Sequence, residues 1–167
     1  MKSSPLVQLP IETNAGTFVA RYSERGLAEL YFPPAKTRGA VTPAPVTATI
    51  RQWHALTTKG VKAILVGKTP AELPPLDVSG GTEFQQRVWE ELLWIPGGET
   101  RSYGEVAKNI RKPKAVRAVG GACGANPIPL LIPCHRVLAA NRKIGGFSGG
   151  LGWKKKLLAT EGVSVVS

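Results

Sequence analysis

The 167 residues carry 22 Lys and Arg against 11 Asp and Glu, a net charge of +11, with 43% hydrophobic and 20% charged residues. That length supports one good core, or two small lobes sharing one, and the composition is that of an ordinary globular chain. The longest apolar runs, such as PIPLLIPC near residue 130, fall far short of a membrane span. MKSSPLVQLP has neither the apolar stretch nor the cleavage site of a signal peptide, which points to an intracellular protein.

Residues 1–80 read as an N-terminal α/β lobe with a linker. Segments 15–22 (AGTFVARY) and 26–32 (GLAELYF) are short, β-prone and separated by a polar turn, as antiparallel strands are. Residues 33–45 hold four prolines and form a loop. Residues 46–60 (VTATIRQWHALTTKG) fit a helix with Ile50, Trp53 and Leu56 inward and Gly60 near its end. The Pro- and Gly-rich stretch 67–81 is a linker, with one short strand expected at Pro75 to Val78.

Residues 81–167 form the second unit, where helical signals dominate. TEFQQRVWEELLWIP opens with Thr82 and places Gln85 three residues on, a capping box. Phe84, Val88, Leu92 and Ile95 follow at helical spacing before Pro96-Gly97-Gly98 stops the element. SYGEVAKNI repeats the pattern with Ser102 and Glu105. Lys112-Pro113 breaks that helix and KAVRAVGGACGA begins another, a helix-turn-helix pattern. The stretch RSYGEVAKNIRKPKAVR (101–117) carries six basic side chains against one acidic one, which suits a polyanion. VLAANRKIGGFSGG is a strand or loop with glycine-rich turns, and GWKKKLLATEG closes the chain as a basic amphipathic helix.

Two features carry chemistry. In AVRAVGGACGAN nearly every residue apart from Arg117 is small, and Gly120 and Gly121 each cost a helix about 1 kcal/mol against Ala. Small residues permit close approach, either to a neighbouring helix or to a groove about 6 Å wide such as the DNA minor groove. In PCHR, Cys134 adjoins His135. This is a nucleophile with its base, half of a metal site, or a pair buried for packing. Side chains of adjacent strand residues point to opposite faces, so the two meet only if the backbone turns, and Pro133 makes such a turn plausible. The chain's other Cys and His residues are Cys123 and His54, too widely spaced for a zinc site. No metal and no cofactor are expected. Cys123 and Cys134 should be free thiols.

IPCHRV, preceded by RAVGGACGANPIPLL and followed by GGFSGG and LLATEG, closely resembles the O6-alkylguanine-DNA alkyltransferases, also called methylated-DNA–protein-cysteine methyltransferases. The resemblance runs almost continuously from residue 80 to 162, including FQQRVWEELLWIPGGETRSYGEVA. It implies an α/β (α+β) fold. The N-terminal lobe would be ribonuclease-H-like with a small antiparallel sheet, and the C-terminal lobe helical with a winged-helix-like helix-turn-helix.

The resemblance also implies roles. Cys134 is the alkyl acceptor, His135 its base through a water, Glu161 the residue orienting His135, and Asn126 the brace of the active-site turn. Tyr103 helps rotate the nucleotide and offers a proton to the leaving base. Arg117 fills the gap in the base stack, and Ala115, Ala118, Gly121 and Arg136 join it at the DNA. Carbonyls of Cys134 and Val137 and the backbone near Ser148 read the guanine edge. Phe147, where many relatives carry tyrosine, forms part of the pocket wall. The implied activity is irreversible, stoichiometric transfer of the alkyl group from O6-alkylguanine, and from O4-alkylthymine, to Cys134. The partner would be double-stranded DNA, bound in the minor groove largely without sequence preference. The protein would be a monomer without membrane association, cytoplasmic and nucleoid-associated in a prokaryote or nuclear in a eukaryote. Cys123 is expected to pack near Arg117 and not to act as a second acceptor.

Three other classes make distinct demands. Alkyltransferase-like proteins bind alkylated DNA and recruit repair partners, but lack the acceptor cysteine. A sequence-specific regulator needs polar base-reading side chains on residues 114–125, which are mostly Ala and Gly. A Cys-His hydrolase turns over many times and leaves the positive charge unexplained.

Overall fold

The computed structural model describes residues 6–39, 44–147 and 150–166. The N-terminal part is a three-stranded antiparallel sheet in the order β1 (Val7–Thr13), β2 (Gly16–Ser23), β3 (Gly26–Tyr31). The last two strands lie where the β-prone runs placed them. β1 was not among the expected elements, and its Pro10 lacks the N–H a central strand needs. It is tolerated because β1 is an edge strand, with Pro10 opposite Val19. The short strand expected at 75–78 is reduced to a single parallel bridge, Leu27 to Leu76.

Helix α1 (Ala48–Leu65) is capped by the Thr47 hydroxyl, which accepts from the Ile50 N–H. It runs well past Gly60. A β-carbon there would lie 3.2 Å from Leu131, so this glycine is a contact point with the C-terminal part and not a stop. Ile50, Thr57, Gly60, Val61 and Ile64 are buried, while Trp53 and Leu56 are half-buried.

Both capping boxes form. Thr82 and Gln85 start α2 (Glu83–Leu92), and Ser102 and Glu105 start α3 (Tyr103–Asn109). α2 is fixed to α4 (Val116–Gly124) by the buried Trp89, whose indole N–H donates to the Ala122 carbonyl at 2.8 Å. Arg111 adopts a left-handed conformation (φ 63°) in the turn between α3 and α4, and Arg87 donates to the Ile110 carbonyl at the end of α3. A two-residue parallel pair joins β4 (Arg101–Ser102) to β5 (Val137–Leu138) and ties the start of α3 to the segment following Cys134. α5 (Leu151–Thr160) closes the fold.

One hydrophobic cluster extends from Val7 in β1 to Leu157 in α5, across residue 80. Phe18 and Phe32 pack on Trp153 of α5, and the Leu30 N–H donates to the Pro127 carbonyl. The sheet thus backs directly onto the segment that carries the Cys-His pair. No helix among the described residues is long and apolar enough to cross a membrane.

Candidate active site

Asn126 builds the loop that presents Cys134. Its Nδ2 donates to the Ile132 carbonyl at 2.8 Å and its Oδ1 accepts from the Ile128 N–H at 2.9 Å, which closes NPIPLLI into a compact turn. The chain then tightens into a single 3₁₀ turn, Cys134–Arg136, entered through Pro133. This turn resolves the geometric difficulty of neighbouring residues on opposite faces: both Cys134 and His135 point inward, 3% and 0% exposed.

Glu161 lies at the C-terminus of α5 and faces this turn. Its Oε2 is 3.3 Å from His135 Nε2. An ionised carboxylate only accepts, so Nε2 carries the hydrogen and Nδ1 holds the free lone pair. His135 Nδ1 is buried and has no hydrogen-bond partner among the described residues. Burial also holds the imidazole below its usual pKa, against the raising effect of Glu161, so the ring is neutral and basic at pH 7.

Arg136 was expected at the DNA. It is instead 8% exposed, with Nη2 2.7 Å and Nε 3.0 Å from the two Glu161 oxygens and Nη1 donating to the Ile95 carbonyl. It serves as the inward clamp on Glu161. Burial raises the pKa of that carboxyl, but the His135 and Arg136 hydrogen bonds and charges outweigh it and hold the group down at about 2.

Burial pushes the Cys134 thiol up to about 11, partly offset by Asn126 and by the charge of Lys154. A thiol so placed stays protonated at pH 7 and needs a base at the moment of attack. Cys123 is pushed up to about 12 by burial and sits on the inward face of α4 with Val119 and Ala122, away from exposed Arg117.

Lys154 is a residue the sequence did not single out. It is fully buried, and its ammonium donates to the carbonyls of Val137 (2.7 Å) and Gly146 (3.0 Å). Its spacing with Leu157 and Leu158 on the inward stripe of α5 was the available signal; the run Lys154-Lys155-Lys156 hid it.

The expected pocket residues fall into place unevenly. Val137 is buried beside the turn, and half-buried Phe147 stands edge-on to His135 at 6.5 Å and to Phe32 at 5.6 Å. Tyr103 is half-buried, a β-carbon on Gly145 would come within 3.0 Å of its hydroxyl, and burial raises its pKa. Ser148 lies outside the described residues.

On α4, Arg117, Ala118 and Gly121 are exposed, and Ala115 at its N-terminal cap is half-buried. A β-carbon at Gly120, Gly121 or Gly124 would meet nothing within 4 Å, so these glycines are not required for packing within the chain. Among the described residues no group of three or more His, Cys, Asp or Glu is clustered to hold a metal. His54 bonds Tyr22 and the Pro10 carbonyl in the N-terminal part.

Residues 83–163 match the family described as 6-O-methylguanine DNA methyltransferase, DNA binding domain. A methylated-DNA–protein-cysteine methyltransferase of Mycobacterium tuberculosis (strain ATCC 25618 / H37Rv) is 55% identical over 93 residues, which cover 54% of this chain and 56% of that relative. One from Methanosarcina acetivorans is 55% identical over 94 residues, covering 54% and 60%. The match therefore spans little more than half the length of these curated relatives. Over most of the chain, the fold is similar to the crystal structure of Mycobacterium tuberculosis OGT in complex with DNA. That similarity has a TM-score of 0.77 at 38% identity and covers 92% of this chain and 91% of the other.

Proposed function

The chain belongs to the methylated-DNA–protein-cysteine methyltransferase family, and from that premise we propose that it repairs DNA by moving an alkyl group from O6-alkylguanine to Cys134. The observation that carries this reading is the buried His135–Glu161 pair, which leaves His135 Nδ1 without a partner among the described residues on the same 3₁₀ turn as buried Cys134.

The step balances without a cofactor. The Cys134 thiol gives its proton to the neutral His135, directly or through water, as its sulfur attacks the alkyl carbon. The S–C bond forms while the C–O6 bond breaks, and that electron pair passes to the guanine. The base takes a proton from Tyr103, which recovers one from the imidazolium. Cys134 ends as a thioether with no route back to thiol, so each molecule reacts once. Glu161 orients the imidazole and stabilises its cation.

The target carbon is buried in a duplex, so the nucleotide must be extruded at a cost of a few kcal/mol. The smooth outer face of α4 suits the minor groove, and Arg117 is long enough to fill the vacated stack. The basic residues of 101–117 would hold phosphates without reading sequence. O4-alkylthymine presents the same kind of alkyl carbon and is a second substrate on this reading. The two units, 1–80 and 81–167, would divide the work, with the N-terminal one supporting the site and the C-terminal one holding DNA and chemistry.

The test is intact mass after incubation with a duplex carrying O6-methylguanine. One added methyl group, mapped to Cys134, is expected. A chain that bound the lesion and gained no mass would instead be a lesion sensor.

A further inference from the structure

A fully buried lysine is rare, because removing an ammonium from water carries a large desolvation cost. Lys154 is 0% exposed, yet among the described residues no acidic side chain pairs with it. Its recorded partners are two backbone carbonyls, from Val137 and Gly146, on two different segments. Val137 directly follows the Cys134 turn. Gly146 precedes Phe147, which stands edge-on to His135. A methionine or leucine would fill this position of the apolar stripe without the cost of a charge, so the charge itself needs a reason.

The titratable groups around it define what that charge can act on. From the 3₁₀ turn these are the Cys134 thiol and the His135 imidazole, and from α4 the Cys123 thiol. Tyr103 on α3 faces the same two thiols. Glu161 is occupied by His135 and Arg136. Lys154 thus provides a positive charge that acts on the Cys134 sulfur, which becomes anionic as its proton passes to His135.

We infer that Lys154 is the electrostatic positioning residue of the transfer site: its ammonium pins the Val137 and Gly146 carbonyls and stabilises the Cys134 thiolate as His135 removes the proton. The inference rests on the transfer reading above. A cation beside a developing charge in a site closed to water acts far more strongly than one at the surface. The same ammonium raises the free energy of the neighbouring imidazolium, which favours passing that proton onward to Tyr103 and the base.

The pH dependence follows. Burial lowers the Lys154 pKa to about 8, while the Cys134 thiol stays protonated to about 11. As pH rises, the site loses its positive charge before the thiol ionises unaided. The single-turnover rate on saturating lesion duplex should therefore be level near pH 7 and fall as pH passes about 8. Lys154→Met should be slower at pH 7, on the order of tenfold for each unit by which the thiol pKa rises, and should lack the descending limb. Lys154→Arg keeps its charge at all these pH values and should also lack it. Labelling of Cys134 with iodoacetamide across the same pH range reads the thiolate without DNA. In that assay Lys154→Met should shift the ionisation curve upward.

A folded Lys154→Met with the native rate and native labelling curve overturns the inference. If that variant does not fold, the native chain decides: a transfer rate that stays level or rises through the pH at which NMR shows the Lys154 ammonium titrating overturns it equally. If the native chain gains no methyl group at any pH, the transfer reading fails. The labelling curves then still decide whether Lys154 sets the thiolate.

Discussion

Helices α4 and α5 have similar lengths, 9 and 10 residues, and each places one basic side chain where it matters, in opposite environments. Arg117 on α4 is exposed beside a row of small residues. Lys154 on α5 is fully buried and holds two carbonyls. Exposure makes Arg117 available to an outside partner, where its charge is screened and its reach is useful. Burial makes Lys154 unavailable to any partner but gives its charge full strength on the groups around it. On the proposed reading one residue class serves recognition on one helix and chemistry on the other, and only the register of each helix against the core separates them.

The largest expected effect falls on the buried side of this comparison. Cys134→Ala should abolish methyl gain in intact-mass spectra and leave binding of lesion duplex in gel-shift assays within a few-fold of native. A retained methyl gain would mean that another residue is the acceptor.

Glu161→Gln comes next, because it strips the partner from buried Arg136. Breaking a buried pair by removing one member typically costs about 3–5 kcal/mol, readable as a lower urea midpoint at pH 7. The native Glu161 pKa is depressed from the ordinary 4.5 to about 2. The depressed carboxylate contributes stability that is present above about 4.5 and lost as pH falls through about 2. The native midpoint should therefore decline across that window, and the decline should shrink in the variant. Equal declines in both chains would show that Glu161 is not the titrating clamp.

On the exposed side, Arg117→Ala should slow repair of duplex lesions on the order of tenfold or more, given the few kcal/mol that base extrusion costs. Iodoacetamide labelling of Cys134 should be unaffected. A variant slowed equally in both assays would place Arg117 in the chemistry and dissolve the contrast with Lys154.

The smallest effect is at Gly121. With nothing within 4 Å of a β-carbon, Gly121→Ala should stabilise the helix by roughly 1 kcal/mol in thermal unfolding. Gly121→Met should stabilise the helix nearly as much but weaken duplex binding several-fold. If the methionine variant bound duplex as tightly as native, the small face would not be the groove-facing one.

Much of the local structure was legible in the chain. The boxes at Thr82–Gln85 and Ser102–Glu105 start helices because each box is closed by side chains three residues apart. Such interactions need no tertiary partner. Cys134, His135, Asn126 and Glu161 were legible as one constellation through the family's motifs. β1 was not, since Pro10 is acceptable only at an edge and edges are assigned by the sheet as a whole. Gly60 was misplaced as a helix end because its reason lies 71 positions away at Leu131.

The sequence by itself determined which residue types are available and where the short-range signals start and stop helices. It also identified the Pro-Cys-His-Arg turn and the charge that suits DNA. Only the tertiary structure decided which way each charge faces. Arg136 turns inward to Glu161, Lys154 turns inward to Val137 and Gly146, and the α4 glycines are open rather than packed. The physical reason is that an exposed and a buried cation are written with the same letter. The difference between them is a matter of desolvation and of partners brought together by distant parts of the chain.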